Sequence, residues 1–373
     1  MTSDATGENG QHRREIDAAY DPRTDAEFDP VAAPDRAHRP KRLDDFVGQS
    51  RVRKQLEIFV GSARRRREPL DHVLLSGPPG LGKTTLSQIV AAEMGFHFRQ
   101  TTAPAITRAG DLVALLVSME ADTVLFIDEI HRLTTAASEM LYSAMEDFRV
   151  DLTVGEGPQA ETVTLNLPRF TLVGATTRTG GLPGPLRDRF GIHLRLDYYS
   201  DEELLQVICR DAAALGLPDA RDSYAEIAKR ARGTPRIAKR LLRRVRDVID
   251  HEGQSIAPDA VESALDLLGV DALGLDELDR SYLTALVRRH RGGPAGVETL
   301  AAGISEDRET VESSVEPYLL SRGFIERTPR GRVAAQRGYA AVGVKAPALP
   351  PVGGPSAVNG NADTGADRQT RLI

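Results

Sequence analysis

Eight consecutive residues, Gly77-Pro78-Pro79-Gly80-Leu81-Gly82-Lys83-Thr84, carry the most specific chemistry in the chain. Glycines at this spacing let the backbone curl, so that successive N–H groups point at phosphate oxygens at the positive end of the following helix. Lys83 then has the reach to meet β- and γ-phosphates, and the Thr84 hydroxyl suits Mg²⁺. The context fits. Val73-Leu74-Leu75 reads as a buried strand before the loop, and Lys83–Met94, stopped by Gly95, as a helix after it.

Two further strand ends offer partners. Asp128 and Glu129 follow the apolar run Val124–Ile127. An acidic pair there is commonly only a turn. With the glycine loop upstream, Asp128 reads as the magnesium partner and Glu129 as the base that orients and deprotonates water. The run Phe170–Val173 ends in Gly174-Ala175-Thr176-Thr177-Arg178, where Thr176 is expected to bond the γ-phosphate or the water. Arg189 lies in Pro185-Leu186-Arg187-Asp188-Arg189-Phe190, and chemistry alone reads it as a salt-bridge partner of a nearby acid.

These residues need a scaffold that holds three strand ends side by side. Apolar strands without alternation, separated by helices, imply a parallel sheet covered on both faces. Between the second and third apolar runs, Val150, Leu152 and Val154, then Val163, Leu165 and Leu167, alternate with polar residues around Gly155-Glu156-Gly157-Pro158, a β-hairpin pattern. It is either a plain excursion of the sheet edge or a contact element, since Val154, Val163 and Leu165 are apolar near its tip. Residues 201–268 read as helices, broken by Gly233-Thr234-Pro235. Two helices around a turn at Gly303–Glu306, then short strands at Phe324–Arg327 and Arg332–Ala334, read as a winged helix. Such a module binds DNA or docks proteins.

Net charge is -6, so nothing global points to nucleic acid, but the basic residues cluster. Lys229 to Arg246 holds nine Lys or Arg and no acid, and Arg322 to Arg337 holds five Arg against Glu326. Arg327, Arg330 and Arg332 on a wing suit phosphate contacts, which position without reading sequence. The single cysteine, Cys209, cannot form an internal disulfide, and no apolar run is long enough to span a bilayer. A cytoplasmic protein is expected. The ends, 1–37 and 341–373, are poor in apolar residues and read as disordered tails.

Gly77–Thr84, Leu125–Arg132, Gly174–Arg178, Leu186–Gly191, Gly233–Ala238 and Arg327–Arg332, in that order, resemble the RuvB family of Holliday-junction branch-migration motors within the AAA+ superfamily. The resemblance runs from about residue 38 to 338. It implies an α/β P-loop AAA+ core at 38–199 carrying the hairpin 150–167, a small helical lid at 200–272, and a winged-helix DNA-binding domain at 273–340. It implies ATP and Mg²⁺ as ligands. Nucleotide contacts carry over to His38, Arg39, Gly80, Gly82, Lys83, Thr84, Thr85, Glu146, Asp147, Phe148, Tyr199 and Arg236, although His38 stands where an aliphatic residue is more usual. Arg189 resembles an arginine finger acting in trans, and Arg308, Arg327 and Arg332 resemble DNA contacts. The implied partners are duplex DNA at Holliday junctions, RuvA docked on the hairpin, a complex with the RuvC resolvase, and five further copies in a homohexamer, with no membrane. The alternatives are a clamp-loading or protein-remodelling AAA+ machine, and a winged-helix transcription regulator.

Overall fold

The computed structural model describes residues 39–154 and 161–347. The tail 1–37, His38, the hairpin tip 155–160 and the chain after 347 lie outside the described residues. Among the described residues, seven strands precede the winged helix: β1 (Val73–Ser76), β2 (His97–Thr102), β3 (Thr123–Asp128), β4 (Arg149–Val154), β5 (Glu161–Asn166), β6 (Phe170–Thr176) and β7 (Ile192–Arg195). Five form one parallel sheet in the order β2-β3-β6-β1-β7.

The three expected apolar strands are the three central ones. Their alternate residues feed opposite cores: Val73, Leu75, Val124, Phe126 and Val173 enter one, and Leu74, Leu125, Ile127 and Leu172 the other. Burial on both faces is why these strands are apolar throughout. The two edge strands gave no such signal for the converse reason. β2 is half-exposed His-Phe-Arg-Gln-Thr-Thr, and β7 alternates buried Ile192 and Leu194 with exposed His193 and Arg195.

Helix α1 (Ser50–Arg66) and helix α2 (Lys83–Met94) pack on the first core through Leu56, Val60, Leu86, Ile89 and Val90. Gly95, in the left-handed conformation, ends α2 as expected. On the other face lie α3 (Ala109–Val117) and α4 (Thr135–Glu146). A short turn, α5 (Gly184–Arg187), carries Leu186 into that second core.

The helical lid comprises α6 (Asp201–Ala214), α7 (Arg221–Arg230), α8 (Pro235–Glu252) and α9 (Pro258–Leu267). A capping box opens it: the Ser200 hydroxyl accepts from Glu203 N–H at 3.2 Å, and Glu203 accepts from Ser200 N–H at 2.9 Å. Helix α8 buries Ala238, Leu241, Leu242, Val245 and Ile249 on one stripe.

The chain divides into two compact units. The first runs to Asp279 and includes Glu312–Tyr318; the second comprises Arg280–Val311 and the chain from Leu319. In the second unit, α10 (Glu277–Thr284, begun in the first) runs on into a π-helical turn at Ala285–Arg289. Helix α11 (Val297–Gly303) follows. The next helix starts as α12 (Arg308–Thr310), widens to a π-turn at Val311–Val315 and finishes as α13 (Glu316–Ser321). The wing is β8 (Ile325–Thr328) against β9 (Gly331–Ala334), and α14 (Gln336–Ala341) closes the described chain. Among the described residues, no helix is long and apolar enough to cross a membrane.

Candidate nucleotide-binding site

Parallel register brings the chemistry together. Ser76 pairs with Thr176 across β1 and β6, and Ile127 with Gly174 across β3 and β6. The glycine loop, the Asp128–Glu129 pair and the Thr176–Arg178 turn therefore leave the same end of three adjacent strands, where ligands of open α/β sheets bind.

The glycines of the loop are fixed by close approach. A Cβ on Gly77, at φ +142°, would sit 2.5 Å from the Leu196 carbonyl oxygen. One on Gly80, at φ +79°, would sit 2.7 Å from Thr234 and 2.9 Å from the Arg236 Cβ, so the loop abuts the start of α8. The Arg236 N–H donates to the Gly80 carbonyl at 3.4 Å. Lys83 is buried, and its Nζ donates to the carbonyls of Gly77 at 2.8 Å and Pro78 at 2.9 Å. Burial pulls the Lys83 ammonium below its ordinary pKa, against the pull of Asp128 and Glu129, and Arg236 adds to the lowering. Burial likewise pushes the Asp128 carboxyl up, against a hydrogen bond from the Glu129 N–H at 2.9 Å and the charges of Lys83 and Arg236.

A cavity of about 800 Å³ opens here. Of the sequence candidates it is lined by Arg39, Gly80, Gly82, Lys83, Thr84, Thr85, Asp128, Glu129, Tyr199 and Arg236. The Tyr199 hydroxyl donates to the Leu81 carbonyl at 3.3 Å, and burial raises its pKa. The cavity is also strongly basic. Arg210, Lys239, Arg240, Arg243 and Arg244 line it, so much of the basic run faces this site rather than bulk solvent. Lys239 is balanced by Asp211 at 2.8 Å. Nothing in the sequence distinguished these residues from a solvated charge run, because a basic face opposite the apolar stripe of α8 reads the same in either case.

Glu129 sits at φ +49°, a strained conformation for a non-glycine residue and one that gathers at functional sites. Its Oε2 accepts from the Thr177 hydroxyl at 3.1 Å and lies 3.2 Å from His131 Nδ1. Thr176, the hydroxyl expected at the γ-phosphate or the water, has other partners in the chain. That residue is fully buried, shares a hydrogen bond with His131 Nδ1 at 2.9 Å, and accepts from the Arg178 N–H at 3.0 Å. The hydroxyl that meets the acid is Thr177, one residue on. His131 was missed as well.

The remaining candidates are not in this cavity's lining. Arg189 pairs with Glu146 at 2.8 Å, donates to the Pro185 carbonyl at 2.9 Å, and lies 5.0 Å from the Tyr142 ring centroid. Within one chain the salt-bridge reading of Arg189 thus holds. Asp147 pairs with Arg149 at 3.1 Å. Phe148 is tilted against His72 and edge-on to Phe170. These residues form a second cluster on the far end of α4.

The hairpin pairs Val150 with Leu165 and Leu152 with Val163. Its apolar stripe changes role along its length. Val150 and Leu167 are buried in the second core and Leu152 and Leu165 pack against it, while Val163 is 42% exposed. In the wing, Arg327 stands directly opposite Arg332. Arg330 lies in the turn, and Arg308 pairs with Glu298 at 2.8 Å.

A phosphate loop on a five-stranded parallel sheet, an acidic pair at the end of the next strand but one, a helical lid and a winged helix define a P-loop ATPase of the AAA+ class. Family models match in the same order: the Holliday junction DNA helicase RuvB P-loop domain over 38–196, the RuvB AAA lid domain over 199–271, and the RuvB C-terminal winged helix domain over 272–343. The chain belongs to the RuvB family. It is similar to a solved RuvB from Thermotoga maritima, described as a Holliday junction branch migration motor, at 45% identity and a TM-score of 0.77, over 83% of this chain and 99% of that one. A substituted form of the same protein aligns at 45% identity and a TM-score of 0.78, over 83% and 100%.

Proposed function

We propose that this chain hydrolyses ATP to drive duplex DNA through a ring of its own copies, moving the branch point of Holliday junctions in recombination and repair. The observation that carries this is the convergence of Lys83, Thr84, Asp128, Glu129 and Arg236 on one cavity between glycine loop and lid.

The residues fit an ATP–magnesium complex. Glycine positions that admit no Cβ leave the loop's backbone N–H groups to the phosphates. Lys83, desolvated and donating to two carbonyls, has its natural partner in a β- or γ-oxygen. Thr84 and Asp128 would hold Mg²⁺, which when bound neutralises charge on the phosphate oxygens. Arg39 and Tyr199 flank the cavity, and Arg236 reaches the phosphates from the lid. Glu129 uses Oε2 to accept from Thr177, which leaves its other carboxylate oxygen to take a proton from the attacking water.

Arg189 completes the site of a neighbour, with Glu146, Asp147 and Phe148 on the same flank. In the ring it exchanges its Glu146 partner for the neighbour's γ-phosphate, which makes hydrolysis depend on assembly. Arg308, Arg327 and Arg332 grip phosphates without reading bases, and the exposed end of the hairpin docks RuvA. RuvC joins the same junction assembly.

The test is strand exchange on a synthetic four-way junction with ATP, with and without RuvA. Exchanged product that needs both ATP and RuvA, and is lost in Lys83→Ala, is the expected result. ATP hydrolysis with no exchange under any condition overturns the branch-migration reading.

A further inference from the structure

Glu312–Tyr318 packs with the first unit, yet it is covalently continuous with Arg308–Val311 and Leu319–Ser321 of the winged helix. An arginine holds each end of it. At one end, Arg178 Nη2 lies 3.6 Å from Glu312 Oε2. At the other, the Arg232 guanidinium lies over the Tyr318 ring at 4.7 Å. Tyr318 in turn donates its hydroxyl to the Leu273 carbonyl at 2.7 Å, and Arg232 Nε donates to the Gly274 carbonyl at 3.1 Å. Arg232 also pairs with Asp276, at 3.2 Å, and with the buried Asp279.

Each arginine is the chain neighbour of a residue that is hydrogen-bonded to the lining of the nucleotide cavity, Thr177 to Glu129 and Gly233 to Tyr199. Arg178 follows Thr177, whose hydroxyl holds Glu129, and its own N–H is bound by the Thr176 hydroxyl. Arg232 precedes Gly233, whose carbonyl accepts from the Tyr199 N–H, and stands four residues before Arg236. Arg232 and Gly233 are both left-handed, at φ +59° and +67°, so the turn that presents Arg236 to Gly80 is fixed on its outer side by the Arg232 cluster. The seven-residue segment therefore ends, at each side, on an arginine that a shift of Thr177 or Arg236 would carry with it.

We propose that Arg178 and Arg232 are positioning residues that couple the state of the nucleotide site to the winged helix through Glu312–Tyr318. The inference rests on the DNA-motor reading above. The Arg178–Glu312 pair is half-exposed, and such pairs add little to stability, so its loss should appear in coupling and not in melting.

The experiment uses the full chain, mixed-sequence duplex DNA and ATP, with Glu312→Arg, Arg178→Glu, the two together, and Tyr318→Leu. Basal ATPase rate, duplex affinity, the fold-stimulation of ATPase by saturating duplex, and melting temperature are measured on each. Glu312→Arg is expected to keep the basal rate, duplex affinity and melting temperature. Its stimulation should fall by about fivefold or more, the lower end for coupling between sites. The double charge swap should restore stimulation to the wild-type level, and Tyr318→Leu should lose it from the other end. Wild-type stimulation in both Glu312→Arg and Arg178→Glu, or no recovery in the swap, overturns the proposal. Failure of Tyr318→Leu to fold leaves the charge swap to decide. Absence of stimulation in the wild type overturns the DNA-motor reading instead, and the coupling with it.

Discussion

The Thr177 hydroxyl donates to the Glu129 carboxylate at 3.1 Å, while its neighbour Thr176 is buried and turned to His131 and the Arg178 N–H. Glu129→Gln should retain ATP binding and lose hydrolysis by roughly 10²–10⁴-fold, the usual worth of a general base. Thr177→Val should lower turnover with little change in nucleotide affinity, because it only frees the carboxylate. Thr176→Val should instead lower the melting temperature, since it removes both hydrogen bonds of a fully buried hydroxyl. Nucleotide titration, steady-state turnover and thermal melts separate the three; normal turnover in Thr177→Val removes it from this role.

Arg189 and Glu146 form an exposed pair within the chain, so breaking it should cost little stability. If Arg189 serves a neighbour, Arg189→Ala loses about 10³–10⁵ in rate, the worth of an arginine finger, and keeps ATP binding. Mixing it with Lys83→Ala subunits should recover activity, because some interfaces then pair an intact pocket with an intact finger. Mixed rings that stay inactive would return Arg189 to the salt-bridge role.

Arg327 and Arg332 face each other across the wing. Replacing both by Ala should weaken duplex binding equally at all sequences. It should also flatten the salt dependence of log K by about one unit for each phosphate that the wing no longer neutralises. Basal ATPase activity should survive. Unchanged affinity across a salt titration would favour a protein-docking wing.

The hairpin divides the partner prediction by position. Val163 is exposed, so Val163→Ser should leave the fold and DNA-free ATPase activity intact and weaken RuvA capture by about tenfold, the worth of one buried Val. Leu165 packs against the second core, so Leu165→Ser should also lower the melting temperature. A pull-down beside a thermal melt distinguishes them, and normal RuvA capture by Val163→Ser would leave the hairpin as sheet edge.

His72 Nδ1 accepts from the Leu172 N–H at 2.9 Å, and Nε2 faces the Met145 carbonyl at 3.1 Å. Burial lowers its pKa below the ordinary 6.5, against the Met145 hydrogen bond and Asp71. Between the folded and unfolded values, only the unfolded chain takes the proton. Stability is therefore full above about pH 6.5 and declines as pH falls through that window. Melting temperature measured from pH 7.5 down to 5 should drop in the wild type and flatten in His72→Gln; equal slopes would assign the acid sensitivity elsewhere.

The glycine loop, its flanking strand and helix, and the left-handed stop at Gly95 were legible because each is encoded in contiguous residues whose backbone needs are local. So were the central strands, since burial on both faces demands unbroken apolar runs. Edge strands β2 and β7 carry no such demand and stayed silent. The choice between Thr176 and Thr177 was not local either. Successive residues leaving a strand point to opposite faces, and only the register of β6 between β3 and β1 decides which hydroxyl meets Glu129. Tertiary packing alone set Glu146 against Arg189, and Glu312 and Tyr318 against Arg178 and Arg232. Those partners lie 43 to 134 residues apart, a distance at which residue type names a possible ion pair but nothing in the chain says which charge folds against which.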